Sequence, residues 1–489
     1  MKRRSWIPVL VLALFSFTIQ AAVPQEHEED LSKVERKNRA PVSKDILRVK
    51  LPHAIEKTLS NGLTVLIMEN HRLPLVSLQY NISGAGPIYE PATTPGLASA
   101  TAQMLTQGTK TKTSVQIAEQ LAQLGASLNA ASGFGSAVTV ISASGLKDNF
   151  DEWFALANDT LLNPTFPADE LNRLKQRQKA QLRQQRTSPT FLSNETFSRV
   201  VYGNHPASRI SPTNESIDLF TPEALAKWHH DRYTPQNSLL AIAGDVNASE
   251  LIPHLETMLA GWKKTELKEV LPPNPKAATE KKVYLIDRPN SVQTSIMLGN
   301  IAVDRRDPDY IALQVFNHIL GGSGAARLFL NLREEHGYTY GVYSALTALK
   351  YPGPWRAYGD FRTEVTGGAM TEFFKEFQRI RDERVPASEL DDAKRAIVAS
   401  FALSLESNDD LLGYAIVRKV YGFPNDYWDT YPAKIMAVSA ADVQRVARKY
   451  LNPETMQVVA VGDLSKIKSV MEKYGPVEIY DADGKKVGN

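Results

Sequence analysis

The 489-residue sequence contains no cysteine. This absence excludes a disulfide framework, a thiolate nucleophile and a lipid-modified cysteine behind a signal peptide. An excess of charge of one sign is also missing, because 56 basic residues stand against 54 acidic ones. The balance gives no indication of binding to nucleic acid or to an anionic membrane surface. Beyond the N-terminus, no stretch is long and apolar enough to cross a bilayer.

The N-terminus has the three parts of a signal peptide over residues 1–22. A basic region at residues 2–4 precedes an apolar stretch at residues 6–19, and Gln-Ala-Ala follows as a cleavage site. An uncleaved anchor is the alternative, although the apolar run is short for a membrane span. We therefore predict an exported, periplasmic protein with no membrane attachment after cleavage.

The rest of the chain divides at changes in composition. The clearest boundary is a linker that contains Pro272, Pro273 and Pro275. The predicted segments are a polar lead-in at 23–50, a first domain at 51–262, the linker at 263–282, a second domain at 283–475 and a tail at 476–489.

The order of elements recurs after the linker, and the same pattern closes each domain. Thr221 precedes Gly244-Asp245 by the same 23 positions that separate Ser439 from Gly462-Asp463. A repeat of this length indicates a duplicated domain rather than a solenoid unit. Each half mixes hairpins with long helices. We therefore predict an α+β fold of two homologous halves, each a largely antiparallel sheet with helices packed on one side.

The stretch at residues 95–109 is the one around which the first half is organised. It begins with Pro-Gly, has an alanine-rich body and ends with Gln-Gly-Thr. Its apolar stripe includes Leu97, Met104 and Leu105. These features predict a short helix.

The frame of residues 96–109 resembles the active-site helix of the pitrilysin/insulinase family of zinc peptidases. Catalytic members carry H-x-x-E-H there, with two histidines that hold zinc and a glutamate that activates water. The corresponding residues here are Ser99, Ala102 and Gln103, and the family's third ligand, a glutamate, falls at Gln181. The resemblance implies a degenerate zinc site, no zinc bound by this chain and no peptidase activity of the chain alone.

The resemblance extends over residues 51–475, through motifs at 59–63, 128–130, 202–206 and 320–322 and through the Leu-Arg-x-x-x-Gly-x-x-Tyr pattern. In the family, the two similar halves form one side of a clamshell that closes around an inner chamber. The strand that matches residues 128–132 is an edge strand that pairs with the substrate backbone in catalytic members.

In the same family, an arginine and a tyrosine seven positions later hold the substrate carbonyl and stabilise the oxyanion. Arg333 and Tyr340 have this spacing. The resemblance implies that they act near the zinc of another chain. The alternative is that Arg333 pairs locally with Glu334 or Glu335 and that Tyr340 packs on a sheet face.

Three hypotheses for function follow. The leading one is a non-catalytic subunit of a heteromeric periplasmic zinc metallopeptidase, with peptide substrates and a homologous partner that carries the zinc. The alternative is a peptide-binding or scaffold protein without a peptidase partner. The third, a metalloenzyme with unrecognised ligands, has little support because no other His/Glu cluster has ligand spacing.

Overall fold

The two halves of the chain fold around separate β-sheets. The computed structural model describes residues 53–488 apart from 266 and 268, so the predicted signal peptide and lead-in lie outside the described residues. The strands of the first half are β1 Ile55–Thr58, β2 Thr64–Glu69, β3 Leu75–Ser83, β4 Ser127–Ala131, β5 Val138–Leu146 and β6 Ser238–Gly244. Those of the second half are β7 Lys282–Asp287, β8 Gln293–Ile301, β9 Thr339–Leu346, β10 Pro354–Arg362, β11 Gln457–Gly462, β12 Val477–Tyr480 and β13 Lys486–Gly488.

The two sheets share the order of five strands, β2-β6-β3-β5-β4 in the first and β7-β11-β8-β10-β9 in the second. The full orders are β1-β2-β6-β3-β5-β4 in the first half and β13-β12-β7-β11-β8-β10-β9 in the second. The equivalent pairs β2–β6 and β7–β11 are parallel, and the strands that follow them in each sheet are antiparallel. This correspondence confirms the predicted α+β class and the duplication.

Helices connect the strands in both halves. In the first half they are α1 Leu97–Met104, α2 Ser114–Gln123, α3 Phe150–Leu162, α4 Ala168–Gln185, α5 Pro189–Tyr202, α6 Asn214–Asp218, α7 Pro222–Arg232 and α8 Ala248–Met258. In the second half they are α9 Tyr310–Leu320, α10 Arg327–Phe329, α11 Thr366–Asp382, α12 Ala387–Ser404, α13 Asn408–Tyr421, α14 Tyr431–Ala437, α15 Ala440–Tyr450 and α16 Leu464–Met471. A π-helical segment, Leu330–Glu335, continues α10.

One helix of each half packs on the sheet of the other half. Helix α5 lies on β8 and β11, and its equivalent α13 lies on β6 and β3. Phe197 of α5 is buried with Met297 and Val459 of the second sheet. Leu412 of α13 is buried in the same cluster as Ala241 of the first sheet. The two halves are therefore interlocked by a reciprocal exchange of helices.

This exchange corrects the prediction that helices pack on one side of each sheet. The central strands β6 and β11 are buried along their whole length. A strand covered on both faces has a continuous apolar sequence instead of an alternating one. The second covering layer comes from a distant part of the chain, so the local sequence does not reveal it.

The linker and the C-terminus are both attached to the folded halves. Glu269 of the linker accepts a hydrogen bond from the Tyr89 hydroxyl at 2.7 Å and pairs with Lys350 at 3.1 Å. Residues 477–480, which were predicted to belong to a tail, form β12 parallel to β7. The second sheet therefore extends beyond the predicted domain boundary at 475. Among the described residues, no helix is long and apolar enough to span a membrane.

Candidate functional site

Helix α1 is buried on every side but one. Leu97, Ala98, Ala100, Thr101, Ala102 and Met104 are all buried, and α1 contacts α4, α7 and the strand β4. Only Ser99, which is half-buried, and Gln103, which is exposed, open to the surface. The open stripe of the helix therefore consists of the two positions that hold histidine in H-x-x-E-H peptidases.

The two side chains on this stripe are bonded to each other. The amide Nε2 of Gln103 donates to the Ser99 hydroxyl at 3.0 Å. Between them, Ala102 at the position of the catalytic glutamate is 0% exposed and belongs to the core of the first half. The position that holds the catalytic glutamate in H-x-x-E-H peptidases is therefore enclosed by the core of the first half.

Glu90 caps the start of α1, a contact that the sequence did not predict. Its carboxylate accepts the backbone N–H of Gly96 at 2.9 Å and that of Ala98 at 2.6 Å. Burial raises the pKa of Glu90 to about 7, although these two hydrogen bonds and the charge of Arg209 act in the opposite direction. Glu90 is the only charged residue of the loop at 84–95, which is the signal that would have found it.

The residues at the zinc positions do not fit a zinc ion. Gln181 is exposed near the end of α4, and within the described residues no hydrogen bond joins it to Ser99 or Gln103. Two neutral amides and a hydroxyl lack the imidazole and carboxylate donors that zinc takes in proteins. No group of three His, Cys, Asp or Glu residues that could hold a metal occurs in the described part of the chain.

Beside α1, one edge of the first sheet is exposed. Strand β4 is the last strand of this sheet and pairs only with β5. Its residues Ser127, Asn129 and Ala131 are exposed. An edge strand of this kind leaves backbone N–H and C=O groups free to pair with an extended chain.

In the second half, Arg333 and Tyr340 lie together. Helix α10 and its π-helical continuation carry Arg333, a turn at Gly337 with φ of 62° reverses the chain, and β9 carries Tyr340. The Cζ atom of Arg333 lies 4.9 Å from the centroid of the Tyr340 ring and 4.6 Å from that of Phe329. Tyr340 is 88% exposed, so this stacked pair faces solvent.

The contacts of this pair include features of both predicted roles, substrate binding and local pairing. The Nε atom of Arg333 lies 3.4 Å from a carboxylate oxygen of Glu334, but both side chains are partly exposed and such pairs stabilise little. Tyr340 does not pack on a sheet face. The geometry brings the two residues together, and their role in binding substrate stays a prediction.

A buried polar cluster holds the segment that presents Arg333. The side-chain amide of Asn331 donates to Glu372 at 2.9 Å and to Glu376 at 3.0 Å, and Glu376 is 3% exposed. The His336 ring donates through Nδ1 to the backbone carbonyl of Asn331 at 3.0 Å. π-Helical turns are rare and frequently occur at functional sites. These contacts hold the π-helical segment that carries Arg333.

Two family models match the chain. The model described as Insulinase (Peptidase family M16) matches residues 65–208, and the model described as Peptidase M16 inactive domain matches residues 219–397. The first match contains α1 and β4, and the second contains Arg333 and Tyr340.

Similar proteins are known from several bacteria. The chain is 26% identical over 357 residues to the uncharacterized zinc protease YmxG of Bacillus subtilis. The aligned region covers 72% of this chain and 84% of the relative. The chain is also 26% identical over 422 residues to an uncharacterized zinc protease of Rickettsia bellii, with 83% and 97% covered. A peptidase M16 inactive domain from Pseudomonas fluorescens has a similar crystal structure, with a TM-score of 0.78, 28% identity and 84% and 98% of the two chains covered.

Proposed function

Because the chain belongs to the insulinase family of peptidases, peptidase family M16, we propose that it is the non-catalytic subunit of a heteromeric periplasmic zinc metallopeptidase. Its partner is a homologous chain with an intact H-x-x-E-H helix, to which all zinc chemistry is assigned. This chain contributes Arg333, Tyr340 and one side of the substrate chamber.

The observation that carries this proposal is the contrast between the two halves. On α1, the open stripe holds a Ser99–Gln103 pair that cannot hold zinc. In the second half, Arg333 stacks on Tyr340, which is 88% exposed. The buried hydrogen bonds of Asn331 hold the segment that carries Arg333. A guanidinium and a phenol side by side can both donate hydrogen bonds to one substrate carbonyl oxygen and to the oxyanion formed from it.

Affinity purification of the tagged chain from the native periplasm tests the proposal. We expect a homologous H-x-x-E-H chain to co-purify, with zinc and with chelator-sensitive cleavage of unfolded peptides. The isolated chain is the control and should lack both. Recovery of the chain without such a partner from cells that express one would contradict the proposal.

A second function, peptide binding without a peptidase partner, is favoured by the open edge of β4. Its exposed backbone could pair with a peptide whether or not a zinc site is nearby. Peptide binding by the isolated chain, together with failure to recover any homologous partner, would support this function over the first.

A further inference from the structure

A continuous row of aromatic and guanidinium groups leads away from the Arg333–Tyr340 pair. From Phe329, the row passes to Tyr343 of β9 at 5.8 Å between ring centroids, and then to Tyr358 of β10 at 6.4 Å. It ends at Arg356, whose Cζ atom lies 5.6 Å from the centroid of the Tyr358 ring. We call these four residues with Arg333 and Tyr340 the tyrosine–arginine row.

Strand pairing produces this row. Tyr343 and Tyr358 are direct cross-strand partners on β9 and β10, and such neighbours stand about 5 Å apart on one face. Tyr358 packs against the cluster that α5 forms with the second sheet, so this face is the one covered by the exchanged helix. The row therefore runs from α5 across two strands to the surface pair.

Arg356 has no anionic partner within the described residues. Its Nη1 donates to the amide oxygen of Asn194 in α5 at 3.1 Å. Its Nε is buried and has no acceptor within reach in the described structure. Arg186, also half-buried, differs in this respect, because it makes two hydrogen bonds to the carboxylate of Glu195. A guanidinium that has no carboxylate beside it and lies next to the phenol ring of Tyr358 is suited to a carboxylate ligand.

We propose that Arg356, with the rings of Tyr343 and Tyr358, forms a subsite for a carboxylate of the peptide that reaches Arg333 and Tyr340. The inference rests on the proposed handling of peptides by this chain and adds a substrate preference to it. The carboxylate comes either from an acidic side chain or from the peptide's C-terminus. The rings cover the apolar part of the bound residue, and Arg356 binds the charged group.

The length of the row fits an extended peptide. Each step between neighbouring groups is 4.6–6.4 Å, whereas an extended chain advances about 3.3 Å per residue and places alternate side chains on one face. A peptide held at Arg333 can therefore place a residue a few positions away against Arg356. Tyr343, at 39% exposed, leaves that path open to solvent.

Binding of fluorescein-labelled ten-residue peptides, measured by anisotropy, tests the subsite. One pair of peptides differs by glutamate or glutamine at a single position, which is moved along the sequence. A second pair differs by a free or an amidated C-terminus. We expect wild type to prefer the carboxylate in at least one pair by about 10-fold, the effect of a charge-assisted hydrogen bond. The pair that shows it identifies the source of the carboxylate.

The variants separate this subsite from general electrostatic attraction. Arg356→Gln removes the charge and should abolish the preference, whereas Arg356→Lys keeps the charge and should retain part of it. The matched control is Arg362→Gln, because Arg362 lies on the same strand and already pairs with Glu364 at 3.3 Å. This control should leave the preference unchanged, and melting temperatures should show that all three variants are folded.

Four outcomes would overturn the subsite. Peptides that bind without discrimination in wild type, or a preference that survives Arg356→Gln, would reject it and leave the proposed function intact. If Arg356→Gln dissociates a dimer of this chain and leaves peptide binding unchanged, the ligand of Arg356 is a second copy of the chain and not a peptide. Failure of every peptide to bind, both to the isolated chain and to its partner complex, would reject the subsite and the proposed function together.

Discussion

Gln103 donates a hydrogen bond to Ser99 one turn earlier on α1, at 3.0 Å from amide nitrogen to hydroxyl oxygen. The same i, i+4 spacing lets two histidines share a zinc ion in catalytic relatives. Here the two side chains satisfy each other. The helix retains the apolar residues of the family motif, and the two side chains on its open stripe form a local hydrogen-bonded pair.

Zinc binding should be absent from the purified chain, because no imidazole or carboxylate stands at the ligand positions. Ser99→His with Ala102→Glu and Gln103→His should restore at most weak binding, since a catalytic site has three protein ligands. Adding Gln181→Glu should raise the affinity. Metal content after equilibrium dialysis measures each step. One tightly bound zinc in the unaltered chain, or full activity in the triple variant, would show that the ligand positions are misassigned.

Ala102→Glu alone should destabilise the fold. The methyl group of Ala102 is 0% exposed in the core of the first half, and burial of a carboxylate without a partner costs about 3 kcal/mol or more in the free energy of unfolding. Gln103→Glu places the same charge on the exposed neighbour and is the matched control. Chemical denaturation compares the two, and equal stability would mean that the core around α1 rearranges readily.

Substitution of the surface pair should affect a partner's catalysis and not the folding of this chain. Loss of one oxyanion donor lowers kcat by about 100- to 1,000-fold, so Arg333→Ala and Tyr340→Phe should do so in the reconstituted complex. Their melting temperatures should stay close to wild type, because Tyr340 is 88% exposed. Unchanged kcat with failed assembly would assign the pair an architectural role.

The stability of the chain should depend on pH through Glu90. Burial raises its folded-state pKa from 4.5 to about 7, so the folded state holds the proton more tightly than the unfolded chain does. This stabilisation is full below about pH 4.5 and is lost as the pH rises through about 7. Between pH 5 and 8, the free energy of unfolding should therefore fall by roughly 1–3 kcal/mol relative to Glu90→Gln.

Denaturation of wild type and Glu90→Gln at several pH values measures this difference. The comparison removes groups that titrate in the same range, such as His229, whose pKa burial lowers to about 4 and whose contribution is lost as the pH falls. Parallel pH profiles for the two proteins would show that Glu90 stays ionised in its capping contacts.

Phe197→Ala should destabilise both halves at once. Phe197 is 1% exposed between α5 and the second sheet, and removal of a buried phenylalanine costs about 3–5 kcal/mol. Because the helices are exchanged, unfolding should remain a single transition at lower denaturant. Thr190→Ala, at an exposed position of the same helix, is the control. Two separate transitions in the Phe197 variant would show that the halves unfold independently.

The sequence was sufficient to predict the duplication and helix α1, because each depends on a local pattern, and it gave the seven-residue spacing by which a short turn brings Arg333 to Tyr340. It did not predict α5 or α13. Helix α5 contains serine, threonine, asparagine and valine, which are weak helix formers, and α13 contains valine and an internal glycine. They are stabilised by burial against strands about a hundred residues away or more, which no local pattern records.

The same reason explains the parts of the candidate site that were missed. Tyr343 and Tyr358 become neighbours only when β9 pairs with β10, and Asn194 meets Arg356 only through the exchanged helix. Residues 477–480 alternate in polarity, but their proximity to the terminus obscured β12. Contacts between distant segments are the part of the site that required the structure.

The exchange of α5 and α13 also bears on the origin of the chain. A single half on its own would leave the apolar face of its central strand bare, with Leu239 and Ala243 of β6 uncovered. Two identical halves could protect those faces by trading this helix as a domain-swapped homodimer. The present chain has the form that such a homodimer takes when its two copies are joined end to end, and the proline-rich linker marks the junction.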